Sequence, residues 1–360
     1  MIARKEGIVL TVKRDLGDYQ ELEVEMGGEK ARAVNYPPLT GPCQPGDRIL
    51  LNTTAVELGL GTGGFHYVMA NFSRPQEELQ GQGHIMKLRY TPMQLKVLAA
   101  EEEASPWHQE LKNFTGLKKT PVVCATLHSQ LPAVCVGIQR ECRHRLRVVY
   151  VMTDGAALPL AFSRLVRELK EKGLISATVT CGHAFGGDLE AVNLYSALAV
   201  AKVAARADVI VIAMGPGIVG TGSKWGYTGV EQGQAINAVH TMGGKAIAVP
   251  RLSFADPRPR HQGVSHHTLT ALAEVALAPC QLALPRLEPA KAHLVRRQLT
   301  GAGILTKHRL YELEADDLVK AMVEEYQLQV TTMGRSPAED REFFAAAAAA
   351  GRLAARQIVW

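Results

Sequence analysis

Four residues of this chain pair a proton-handling side chain with a position just beyond an apolar run: His183, Asp188, Glu231 and His266. Histidine exchanges protons near neutral pH, and a nearby carboxylate can orient it or act as the base. These four are the candidate catalytic residues. Two of them have a plainer reading as well. Asp188 follows Gly186-Gly187 and Glu231 opens a helical pattern. At such positions an acid also caps free backbone N–H groups or answers the helix dipole.

A glycine-rich run supplies the second kind of chemistry. Gly215, Gly217, Gly220, Thr221, Gly222, Ser223 and Lys224 fall within ten residues. Repeated glycines let backbone N–H groups converge on an anion, and Lys224 adds charge. With His128 and Asp154 they form the candidate ligand-binding set. Gly215-x-Gly217-x-x-Gly220 matches the dinucleotide fingerprint by letter, but that fingerprint turns directly into a helix. Here Thr221 to Gly226 intervene, and the next apolar run ends in Val249-Pro250-Arg251 without an acid. Gly222-Ser223-Lys224 also reverses the Walker order. No cofactor is assigned.

His261, His266, His267 and Asp256 are the nearest approach to a metal-binding set. Adjacent histidines diverge by about 100° on a helix, and Arg258 and Arg260 suit an anion better than a cation. No metal ligand is therefore assigned. A metal-dependent hydrolase using His183, Asp188, His266 and His267 is the alternative.

The elements that must position these residues follow from the hydrophobic pattern. Residues 1–90 hold six short β-rich segments separated by turn signals such as Pro45-Gly46-Asp47, which indicates a small all-β, barrel-like domain. Residues 91–120 read as a polar, helical connector with Glu101 to Glu103 on a solvated face. From 121 to 360 the pattern alternates. Apolar strands such as Asp208 to Met214 are followed by amphipathic or alanine-rich helices, among them Asp188 to Arg206, and a last strand is expected at Gln327 to Thr332. Strands apolar throughout are covered on both faces. The expected fold class is α/β: a mainly parallel, doubly wound, Rossmann-like sheet preceded by the barrel. In such sheets ligands bind beyond the carboxyl ends of the strands. His128, Asp154, His183, Gly217 and His266 each follow a predicted strand, so they are expected on one edge.

Composition narrows the class. The chain has 360 residues, 47% hydrophobic and 21% charged, with a net charge of +5. No apolar run approaches the ~20 residues of a membrane span. The start, Met1 to Lys5, lacks the charged-then-apolar stretch of a signal peptide. Aromatic residues are 6% and are not interleaved with basic ones, so neither a membrane nor a nucleic acid is expected as partner. None of the six cysteines forms a CxxC pair. Cys124, Cys135, Cys181 and Cys280 read as buried small hydrophobes, consistent with a reducing cytoplasm.

Five long segments, PGDRILLNTTAVELGLGTGGFHYVMAN from Pro45, GHAFGGDLEAVNLYSAL from Gly182, GPGIVGTGSKWGYTG from Gly215, RHQGVSHHT from Arg260 and TTMGRSPAEDREFF from Thr331, resemble the bacterial domain of unknown function 3866 family. The likeness spans nearly the whole chain. It implies a bacterial protein and carries no mechanism. The reading of function therefore rests on the residues. It is an enzyme, a hydrolase or transferase, working by acid/base chemistry on a small anionic metabolite, phosphorylated or carboxylated. A ligand-binding or sensing protein is the alternative from another class.

Overall fold

The structure, a computed structural model, describes residues 1–61, 63–76, 78–142 and 144–358. It divides into two compact units, Met1–Val97 and Leu98–Trp360. In the first, strands β1 (Arg4–Asp15), β2 (Gln20–Met26), β3 (Glu29–Asn35), β4 (Arg48–Asn52) and β5 (Phe65–Asn71) close a barrel in the order β1-β2-β3-β5-β4. Register shifts after Val9 and after Val12 bend the long β1, as bulges do, so that it pairs with both β2 and β4. Alternate residues point inward: Val9, Leu22, Val24, Ala33, Ile49 and Leu51 form the core. Two one-turn helices, α1 (Pro37–Thr40) and α2 (Thr54–Glu57), flank β4, and β6 (Ile85–Lys87) pairs with β7 (Leu95–Val97). β6 ends at Lys87 because Leu88 and Tyr90 have positive φ, 51° and 59°, which no strand accommodates.

The second unit opens with α3 (His108–Lys112). Its sheet strands are β8 (Pro121–Cys124), β9 (Val148–Thr153), β10 (Ala177–Thr180), β11 (Leu189–Glu190), β12 (Val209–Met214) and β13 (Lys245–Ala248). The helices between them are α4 (Leu131–Glu141), α5 (Arg164–Glu171), α6 (Leu194–Val203) and α7 (Glu231–Thr241). A small hairpin, β14 (Leu252–Ser253) and β15 (Gly263–Val264), precedes α8 (His266–Thr270). Then come β16 (Gln281–Pro285), α9 (Pro289–Gly301), α10 (Ile304–Lys307), β17 (Arg309–Leu313), α11 (Asp316–Glu324) and α12 (Arg341–Arg356). Eight strands lie in the order β11-β10-β9-β12-β8-β13-β16-β17, and every neighbouring pair is parallel. One face is covered by α4, α5, α11 and α12, the other by α6, α7 and α9. The doubly wound α/β class and the small barrel are thus both present.

The alanine tract has a packing reason. Ala345 to Ala350 are buried on every side of α12, where it crosses α4. At the crossing a Cβ on Gly137 would meet the carbonyl of Ala348, and one on Gly351 would meet that of Val134. Small residues alone permit this approach. Gly137→Val is therefore expected to destabilise the α/β unit by about 3 kcal/mol through overpacking, read as a lower urea midpoint. An unchanged midpoint would show that the helices can separate freely.

Three expectations are corrected. The helix placed at Asp188 to Arg206 begins only at Leu194, with Asn193 as its cap. Gly186-Gly187 turns the chain back, and Leu189–Glu190 pairs with Val179 and Thr180 as β11. The strand expected at Gln327 to Thr332 is irregular. Gln327 has a φ of 51°, and Leu328 and Val330 bury themselves in the helical layer instead. The eighth strand is β17, whose edge position tolerates its charged residues. Finally, the connector is helical only over α3, and Glu102 is 6% exposed rather than solvated, accepting from the Ala99 amide at 2.6 Å.

Candidate functional site

Since β8, β9, β10, β12 and β13 run parallel in one sheet, the loops after them leave from one edge. His128, Asp154, His183, Gly217 and His266 are all carried there. Neighbouring strands on this edge send their connections to opposite faces: β9 leads to α5, and β12 leads to α7. The resulting crevice is where open α/β sheets hold ligands.

A cavity of about 290 Å³ lies in it, lined among others by Thr153, Asp154, Gly182, Asn193, Glu231 and Gln232. Glu231 is the first residue of α7. Burial drives its pKa up to about 7; a hydrogen bond from Thr153 opposes this and the charge of Asp154 adds to it. Thr153 Oγ1 donates to Glu231 Oε1 at 2.6 Å. Asp154 Oδ2 accepts from the His183 amide at 2.9 Å. Two glycines make room for these acids. A Cβ on Gly155 would sit 2.5 Å from Glu231 Oε2, and one on Gly182, at φ 65°, would collide with the Asp154 carboxylate. Gln232 donates to the carbonyls of Cys124 and Val249 at 2.7 and 2.8 Å, tying α7 to the ends of β8 and β13. Its Oε1 is buried with no hydrogen-bond partner among the described residues. The floor is the start of α6, where Asn193 and Ser196 form a reciprocal capping box.

The other sequence candidates lie elsewhere. His128 Nε2 is 2.7 Å from Ser163 Oγ, and its Nδ1 is 3.3 Å from the Met214 carbonyl and from the Tyr150 hydroxyl. Burial lowers its pKa to about 4, so it is a neutral structural bridge, beside a larger cavity of about 620 Å³ that Gly217 also lines. Asp188 accepts from the Thr178 amide and hydroxyl at 2.8 and 2.9 Å and pairs with Lys170 at 2.5 Å. It anchors the turn before β11 rather than facing the Glu231 cavity. The side chains offered as an anion cradle are turned onto the loop itself. Thr221 Oγ1 donates to the Gly226 carbonyl at 3.0 Å, Ser223 Oγ accepts from Gly226 N at 3.1 Å, and Gly220 bridges to Tyr227. Lys224 pairs with Glu274 at 2.7 Å. Gly215 packs against the Ala157 carbonyl, leaving 2.6 Å for a Cβ.

The metal alternative is not assembled as expected. Among the described residues one group of three potential ligands converges, His261, His266 and His267; His183 and Asp188 are not in it. Sequence reasoning missed Thr153, Asn193 and Gln232. Asn193-x-x-Ser196 is a legible capping pattern, but nothing in the sequence marks Gln232.

Among the described residues no helix is long and apolar enough to cross a membrane, and all six cysteines are free. No curated protein matches the chain. The family described as protein of unknown function, DUF3866, matches over residues 32–351, and the chain belongs to that family.

Proposed function

We propose that the protein is an enzyme whose crevice at the carboxyl edge of the sheet performs proton transfer on a small metabolite. The observation that carries this reading is Glu231. It is a half-buried carboxyl at the wall of a cavity, with its pKa brought to about 7 by burial and by Asp154. A general acid or base works best with its pKa near the working pH, and contributes about 10²- to 10⁴-fold.

The surroundings suggest the substrate class. The start of α6 presents the positive end of a helix dipole, which suits a carboxylate or phosphate, at the N–H groups of Leu194 and Tyr195 that its capping box leaves over. This takes the place first given to Lys224. Asp154 and Gln232 Oε1, which has no partner among the described residues, are acceptors and suit a hydroxyl or amine. The substrate is then an anionic metabolite that also carries a donor, a hydroxy acid, amino acid or sugar phosphate. Glu231 moves the proton, Thr153 orients it, and Asp154 holds the donor group.

A thermal-shift panel of hydroxy acids, amino acids and sugar phosphates tests this. At least one is expected to raise the melting temperature of the wild type, with the shift lost in Asp154→Asn. Its turnover should then fall about 10²- to 10⁴-fold in Glu231→Gln. Absence of any stabilising compound, or equal shifts in both variants and wild type, would remove the site. Binding without turnover would favour the sensing alternative.

A further inference from the structure

Away from the Glu231 cavity, three imidazoles meet at the start of α8. The ring centroids of His261 and His267 are 5.1 Å apart, those of His261 and His266 5.1 Å, and those of His266 and His267 4.2 Å. One nitrogen from each lies within 4.8 Å of the others. Adjacent helical residues diverge, yet these two occupy the first turn, where side chains lean toward the helix N-terminus. There the loop returns with His261. We infer that His261, His266 and His267 form a binding site for a divalent transition-metal ion of the zinc or cobalt class.

Four observations support it. His261 and His267 are 1% and 8% exposed, so the cluster is built rather than a surface accident. His266 Nε2 and His267 Nδ1 are both buried and have no hydrogen-bond partner among the described residues. A buried imidazole nitrogen left unpaired is costly, and a metal would satisfy it. His261 Nδ1 lies 2.7 Å from Ser265 Oγ. With its N–H donated there, Nε2 carries the lone pair, the arrangement usual for a metal-binding histidine. Finally, the Tyr227 ring stacks on His267 at 3.9 Å and 4°, holding that ring in place. Zinc takes nitrogen ligands at about 2.0–2.1 Å, so the rings must close by about 1 Å. Three protein ligands leave a fourth position open.

Of the nearby arginines, Arg251, Arg258 and Arg335 share the carboxylate of Asp256, whereas Arg260 has no carboxylate partner among the described residues and leaves its charge beside His266. Arg258 donates to both oxygens of Asp256, at 2.9 and 2.7 Å, and Arg251 and Arg335 reach the same carboxylate at 3.4 Å. Neutral imidazoles are metal ligands and poor partners for an anion. Nitrogen donors select zinc, cobalt, nickel or copper over magnesium or calcium.

The test uses the full chain without an affinity tag. After loading with zinc and desalting, elemental analysis should find about one ion per chain. Cobalt loading should give the visible absorption of a nitrogen-ligated ion. Both should be lost in His266→Ala and in His267→Asn and kept in His293→Ala, which alters an exposed histidine. X-ray absorption on the zinc-loaded wild type needs no variant and should count three imidazoles. No retained ion, fewer than three imidazoles, or retention in both cluster variants would overturn the site. None of these outcomes bears on Glu231, so the two readings stand or fall separately.

Discussion

Replacing Asp256 by Ala is expected to destabilise the α/β unit by about 3–5 kcal/mol, the cost of stripping a buried charge pair of one partner. Asp256 is fully buried, and three guanidinium groups converge on it. Arg251 is itself 4% exposed and would lose its ion-pair partner, keeping only the more distant charge of Asp340. The pH dependence follows from the same contacts. The hydrogen bonds from Arg258 hold the Asp256 carboxyl far below its ordinary range. Its folded-state pKa is depressed, so its contribution is present above the unfolded value near 3.8 and is lost as pH falls below it. Urea unfolding at pH 7 and pH 3 checks both points. The gap between wild type and Asp256→Asn should narrow on acidification. A cost under 1 kcal/mol at pH 7 would mean that the arginines find other partners.

Glu231→Gln should act in the opposite direction. The carboxyl has a folded pKa of about 7 against an ordinary value of 4.5. A raised pKa means the folded state holds a proton that the unfolded state releases. Its stabilising effect is complete below the unfolded pKa and is lost as pH rises from 4.5 through 7. The wild type should therefore lose about 2 kcal/mol between pH 4.5 and pH 8 from this group, after allowance for its partial exposure. The neutral glutamine lacks this slope. The variant should match the wild type near pH 4.5 and exceed it by about 2 kcal/mol at pH 8. Parallel profiles would show that Glu231 titrates as an ordinary surface acid, and the proposed acid/base role would lose its basis. A variant more stable and less active is the usual mark of a functional group held in an unfavourable setting.

The alternation of apolar strands with amphipathic helices from 121 onward is local information, and it was enough for the parallel sheet and for placing five loops on one edge. The same periodicity placed Glu231 at a helix start. What the sequence could not determine is which of those loops face one another. Asp188 and Glu231 look alike in sequence, each an acid near a glycine turn. One reaches back to Thr178 on the strand just before it, while the other meets Thr153 from a strand 78 residues earlier. That difference depends on strand order, which is decided by packing on both faces rather than by any short stretch. Lys224 and the glycines are another case. Their composition suggests an anion site, but whether the donors point outward depends on a turn closed by Gly226 and on Glu274, fifty residues away. The three histidines reverse the error. Helical geometry alone argued that His266 and His267 diverge, but in the first turn of α8 their rings lie 4.2 Å apart, and the returning loop adds His261. Local pattern reads the elements because hydrophobic burial is periodic within each. Side-chain partnerships are long-range, and only the tertiary structure decides them.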